Sequence, residues 1–352
     1  MITPEIMTDD MIIRMKRYSA HLVLLALLLS ACSSNGEQDS FLLPEPVDFS
    51  MEFGNSQTRA NTTLDNVWPS QAEVAVYDNT HILKYKTPTY QDPENAPASE
   101  ALVSLQGVSE KFFWPTDGQS KFFSAWYPYT STAPELPLTV TVAEDQTTTG
   151  IPENSDYYNY DKLYSPAKLF GFRKRVSLKF YHQMCRIVVN VNAIATQGIV
   201  NSIALGNGNI KLSGEITTLG ETGDGATGTK TVWDNLSGSA TIKMRKDTER
   251  SSETTRMYTF ECILPPQSGG DFETQLLYIS GSAYNKTSLS QEAKNYRYSA
   301  EYDWKAGYQY NYNMSLTKEG ALTVSTVTVK NWGTTDFAYG DADVPDAYYG
   351  EE

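Results

Sequence analysis

The sequence predicts an all-β chain built from many short strands joined by turns. Three observations carry that expectation. The chain holds 23 tyrosines, 13 phenylalanines and 6 tryptophans beside abundant Thr, Val, Gly and Asn, the composition of half-buried strands and their turns. Apolar and polar residues alternate with period two in segment after segment. Helical periodicity is nearly absent, residues 290–298 being the one stretch expected to form a turn or two of helix. Many short strands with turn signals between them imply β-sandwiches.

The first element is a leader. Eight apolar residues, Leu22 to Leu29, follow the basic pair Lys16-Arg17 and end in Leu29-Ser30-Ala31-Cys32. A charged head, a short apolar middle and small residues at the cut define a signal peptide, here residues 1–31. The run is too short for a membrane helix, which needs about 20 apolar residues. Cysteine directly after Leu-Ser-Ala marks a bacterial lipoprotein signal, cut between Ala31 and Cys32, with the Cys32 thiol taking the palmitate. Met15 is an alternative start to Met1. Residues 32–46 are small, polar and acidic, then broken by proline, and read as a tether from the lipid.

Val47 to Phe53 alternates strictly, placing Val47, Phe49, Met51 and Phe53 on one face of a half-buried strand. The loop after it carries a single arginine, Arg59, followed by Ala60. Strands are expected next at 73–77, at 111–115 and 121–127 as a hairpin about the Pro115–Gly118 turn, and at 136–142. Residues 143–170 read as polar, tyrosine-rich loop. Leu178, Phe180, His182 and Met184 share one side of a strand; the phase then slips before Cys185, Ile187, Val189 and Val191, which predicts a bulge or corner at 184–185. Further strands are expected at 199–205, 209–217, 229–233, 238–244, 256–264, 274–280, 308–316 and 322–332. The organisation that follows is an N-terminal sandwich over 47–175, a second over 176–335, and an acidic tail over 336–352.

Charge and chemistry exclude more than they suggest. The net charge is −14, and the leader's three acids and three bases cancel, so the exported part is equally acidic. Such a surface repels phosphate backbones and excludes nucleic acid as a partner. Cys185 and Cys262 lie in phase with core-facing neighbours, as buried free thiols do, while a disulfide between them stays open in an oxidising compartment. His182 sits in a strand pattern, where a hydrogen-bonded core histidine outweighs a base or ligand. Gly223 to Lys230 superficially matches a phosphate loop, but a strand follows it rather than a helix, so it reads as a hairpin loop. Asp341, Asp343 and Asp346 lack the Gly and distal Glu of a calcium loop. No active site, metal or cofactor is expected, and the chain is not read as an enzyme.

Several motifs appear together and in order. They are the Leu29–Cys32 lipobox, Phe53 with Thr58-Arg59-Ala60, Phe113-Trp114-Pro115 and Phe122 to Pro128. Then come Asp161-Lys-Leu-Tyr164, Leu178-x-Phe180-x-His182, Leu264-Pro-Pro-Gln267, Gly307 to Tyr312 and Val327 to Trp332. This ordered set resembles the Bacteroidales fimbrillin family, the Mfa-like outer-membrane lipoproteins that include type V pilus subunits.

The resemblance implies two tandem transthyretin-like, Greek-key β-sandwich domains and a role as a structural, adhesive component of a surface fimbria. It also implies assembly by donor-strand exchange. A protease cuts after Arg59, strand 47–53 leaves, and a neighbour's C-terminal strand, from a region like 321–349 here, fills the groove. The implied partners are other fimbrial subunits, the outer membrane through the lipid, and a host protein or glycan. The rival reading is a non-polymerising surface lipoprotein, either a fimbrial anchor or a module binding glycan or host ligand through the tyrosines at 157–160.

Overall fold

A computed structural model describes residues 44–53, 70–89, 103–147, 159–194, 198–251, 255–271, 273–285, 290–316, 322–332 and 337–341. All belong to the unit that begins at Pro44. The expected signal peptide, the lipidation site, the first part of the tether, and Arg59 and Ala60 lie outside the described residues. So do Tyr157, Tyr158 and the tail from 342 on.

The chain is all-β, as its composition predicts. The first nine strands are β1 (Phe49–Phe53), β2 (Glu73–Tyr77), β3 (Ile82–Lys86), β4 (Val103–Ser104), β5 (Gln106–Gly107), β6 (Lys121–Tyr127), β7 (Leu138–Thr141), β8 (Leu163–Phe170) and β9 (Val176–His182). All but β7 form one ladder, in the order β4-β1-β9-β8-β6-β2-β3-β5. β8 and β9 share only the pairs Leu163↔His182 and Tyr164↔Tyr181, so the ladder turns a corner there and folds over itself. The two halves meet face to face. Phe49 of β1 sits edge-on to Tyr85 of β3 at 5.0 Å and to Phe123 of β6 at 4.9 Å between ring centroids.

The second core follows a turn at Gln183-Met184, where the pattern slip predicted a corner. Met184 and Cys185 are both fully buried, so the slip delivers two successive side chains into the interior. The remaining strands are β10 (Cys185–Ile194), β11 (Gly198–Thr218), β12 (Val232–Lys243), β13 (Arg245–Ser251), β14 (Thr255–Leu264), β15 (Gln267–Gly269), β16 (Gln275–Asn285), β17 (Ser290–Ser299), β18 (Tyr302–Trp304), β19 (Tyr308–Leu316), β20 (Leu322–Asn331) and β21 (Phe337–Asp341). One sheet runs β13-β14-β10-β19-β20-β21, the other β12-β11-β16-β17 with β7 added beside β11. Between them lie Ile187, Val189, Phe260, Tyr312, Ile203, Leu277, Ile279 and Tyr298, all buried. Each such side chain contributes about 1.5–3 kcal/mol by leaving water.

Several local expectations change, among them the strands expected at 229–233 and 238–244, which are the single strand β12, and the start of the expected tail, which holds β21. Residues 111–115 do not pair with β6; they run antiparallel to the segment before β1, with Val47 N–H donating to Phe112 O (2.8 Å) and Trp114 N–H to Glu45 O (2.9 Å). The apolar run satisfied its backbone with a distant partner that no local pattern reveals. Residues 163–170, expected as loop, are strand β8, whose alternation is hidden by a buried Ser165 and an exposed Leu169. Residues 290–298 are not helical but form β17, pairing with β16. The strands expected at 199–205 and 209–217 are one 21-residue strand that bends at Gly206 and Gly208. Strand 138–141 pairs with β11, and its Val140 joins the second core.

Candidate functional site

The site is the groove that holds β1. Strict alternation makes one face of β1 wholly apolar, and the fold buries that face. Val47 and Phe53 are 6% exposed, Phe49 1% and Met51 0%. β1 runs parallel to β9, from Phe49↔Val176 to Phe53↔Phe180, and antiparallel to the two-residue β4. Its backbone is satisfied on both sides, with Leu105 N–H donating to Phe49 O and Val176 N–H to Asp48 O, each at 2.9 Å. Withdrawing β1 would leave those groups and four apolar sockets empty.

The other face of β1 is acidic and meets bases. Glu45 pairs with Arg173, Asp48 with Arg175 at 2.8 Å, and Glu52 with Lys179 at 3.6 Å. These pairs lie at the surface, so each adds little stability. Their arrangement is what counts: three carboxylates on β1 and the residues before it face three cations at and before β9.

At the far end of β1 the groove closes on a stack of rings. Phe53 lies on His182 with centroids 4.8 Å apart and planes 12° from parallel. Trp332, just beyond β20, covers the opposite face of the imidazole. His182 is buried, and its Nδ1 donates to the Asp161 carboxylate at 2.9–3.0 Å. Its Nε2 is buried without a hydrogen-bond partner among the described residues. The histidine is therefore a rigid, oriented plate between two aromatic rings.

The glycine-rich loop between β11 and β12 braces the same corner. Thr222 Oγ1 donates to His182 O (2.8 Å), Gln183 Nε2 to Gly220 O (3.1 Å) and Trp233 Nε1 to Gln183 O (2.9 Å). Asp224 N–H donates to Asn331 Oδ1 (2.8 Å), and Tyr308 OH reaches the Asp224 carboxylate. Glu221 accepts from the N–H groups of Thr227 and Gly228 inside the loop. The amides of Asp224, Thr227 and Gly228 and the carboxylates of Glu221 and Asp224 are thus engaged with the protein itself.

Candidate chemistry elsewhere is self-satisfied. Cys185 and Cys262 are free, fully buried thiols, and burial pushes both well above the ordinary thiol range. Glu261, 1% exposed, is held by both Arg186 and Arg245. A carboxylate neutralised by two guanidiniums is not poised as a base. His81 is exposed on a turn, its backbone N–H capping Asp78. Among the described residues no group of three His, Cys, Asp or Glu is placed to hold a metal. The ring stack escaped sequence reasoning because Phe53, His182 and Trp332 come from three distant segments.

A family model described as fimbrillin-like matches residues 58–332. Among solved structures, a protein from Bacteroides ovatus assigned to cell adhesion is 17% identical, with 82% of this chain and 98% of that chain covered and a TM-score of 0.51. It shares the fold. One from Bacteroides uniformis with the same assignment is 15% identical over 82% of this chain and 98% of that chain, with a TM-score of 0.49. No curated protein sequence is significantly similar to the chain.

Proposed function

The chain belongs to the fimbrillin-like family, and from that premise we propose that it is a structural, adhesive subunit of a cell-surface fimbria assembled by strand exchange. In this reading it is exported as a lipoprotein through acylation of Cys32 and carried to the outer membrane. A protease then cuts between Arg59 and Ala60, and β1, with Val47, Phe49, Met51 and Phe53, leaves its groove. A strand from a neighbouring subunit replaces it by β-augmentation.

The observation that carries the reading is the seat of β1. It is the first strand of the sheet system, inserted between β9 and the short β4, and its apolar face supplies part of the first core. Removing one such strand opens a continuous apolar groove flanked by unpaired backbone, a state that strongly favours a substitute. On the donor side, β20 is held to β19 along its length, whereas β21 meets β20 at Thr328↔Asp341 and Lys330↔Phe337 only. Among the described strands of that sheet β21 thus has the fewest rungs, which favours the C-terminal region as the part given away.

Purified precursor treated with a trypsin-like protease should gain a new N-terminus at Ala60 and form ladders that survive SDS. Clipped protein that stays monomeric and keeps β1 would overturn polymerisation. It would leave the chain as a surface lipoprotein that anchors or binds.

A further inference from the structure

We propose that the β1 groove selects its occupant by a two-sided code: an aromatic ring over His182 at one end, and carboxylates opposite Arg173, Arg175 and Lys179 on the outer side. The partner is an acidic, amphipathic extended segment of another polypeptide, apolar at every second residue. This rests on the strand-exchange reading above and specifies which strands that exchange admits.

The inner side sets the aromatic requirement. The sockets of Val47, Phe49 and Met51 are lined by apolar side chains and by rings that meet their occupant edge-on, and such sockets accept swaps that conserve volume. The Phe53 position differs. Its floor is the flat face of an imidazole fixed by Asp161 below one edge and by the Trp332 indole behind. A planar side chain completes the stack; a branched aliphatic one touches the plate at a few atoms only. The buried plate also fixes register, because a strand shifted by two residues brings its aromatic off His182.

The outer side sets the charge requirement. In the native arrangement Glu52 faces Lys179 as a rung of the parallel pair, while Asp48 meets Arg175 and Glu45 meets Arg173 just ahead of it. Exposed pairs of this kind govern choice of partner and encounter rate more than affinity. A strand with lysines at those positions would set like charges side by side along the ladder.

The test uses the full chain clipped after Arg59 and a fluorescent peptide of residues 44–53 as the probe. Unlabelled peptides compete: the native sequence, the Phe53→Leu version, and the Asp48→Lys/Glu52→Lys version. The Phe53→Leu peptide should compete about tenfold more weakly, and the lysine peptide about fivefold more weakly at low salt with the difference fading at high salt. The lysine peptide should regain competition on an Arg175→Glu/Lys179→Glu chain; both sites are exposed, so that chain should fold. All three peptides competing equally on the wild-type chain would overturn the code while leaving strand exchange intact. Entry of none of them, the native peptide included, would overturn strand exchange and the code with it.

Discussion

The imidazole of His182 lies flat on the indole of Trp332, with ring centroids 4.1 Å apart and planes 7° from parallel. One residue ends β9 and the other follows β20, so this contact ties the close of the first ladder to the last long strand of the second sheet. Trp332 is 5% exposed, and its backbone N–H donates to Gly307 O at 2.8 Å. Trp332→Ala should cost about 3 kcal/mol, while Trp332→Phe, which keeps a ring on the plate, should cost about 1. Urea unfolding of both variants, compared at equal slope, measures the difference.

Phe49 is the hub of the first core, with Tyr85, Phe112 and Phe123 all edge-on to its ring. Phe49→Ala should lower stability by about 4 kcal/mol through lost burial and the cavity left behind. Lys179→Ala, on the exposed side of the same strand pair, should cost only a few tenths of a kcal/mol. Similar losses from the two substitutions would show that β1 is held by its surface and not by its core face.

Gly307 has φ near +81°, and a Cβ there would fall 2.4 Å from Thr222 Oγ1 and 3.0 Å from the Gly223 nitrogen. Gly307→Ala should therefore destabilise by about 2 kcal/mol or more, combining backbone strain with a clash against the braced loop. A thermal melt within a degree of wild type would refute this.

The two thiols should be silent in the native protein. Cys185 donates to Leu264 O at 3.3 Å, and both thiols are completely buried. Iodoacetamide at pH 9 should label neither until denaturant is added, and the labelling rate should then follow global unfolding. Rapid labelling without denaturant would contradict the burial.

Alkaline pH should destabilise the protein. Burial, aided by the hydrogen bond to Glu221, raises the Tyr181 phenol from 10.0 to about 12. Burial also raises Tyr308, Tyr310 and Tyr312. A raised folded value means the stabilising contribution is whole below the unfolded value of 10.0 and is lost as pH climbs through the folded one. Unfolding free energy should hold steady to pH 9 and fall from pH 10 upward. At the acid end, hydrogen bonds from Thr147, joined by Lys243, hold Asp145 down at about 2. That contribution disappears only as pH falls towards 2, and it is small because the group is exposed.

Much of this architecture was legible in the chain because a period-two pattern is a local property. The face formed by Val47, Phe49, Met51 and Phe53 needs no partner to be recognised, and the break before Cys185 announced its corner. Pairing is not local. Phe112 and Trp114 looked like half of a hairpin with β6 yet bond to Glu45 and Val47, because backbone groups are satisfied by whichever strand the whole fold brings alongside. β8 was invisible for a different reason: Ala167 and Lys168 are exposed, so no alternation survives at that end. At the site, the acidic side of β1 was readable from Asp48 and Glu52, but the answering cations and the His182 plate were not.

The parallel pairing of β1 with β9 also orders the protein's biogenesis. A nascent chain leaves the ribosome with β1 well ahead of β9, yet most of that strand's rungs are supplied by residues 176–180. Until β9 has followed, the earliest-made strand has nowhere to dock, and closing so long a loop is slow. An early strand of the chain thus waits for one made more than a hundred residues later.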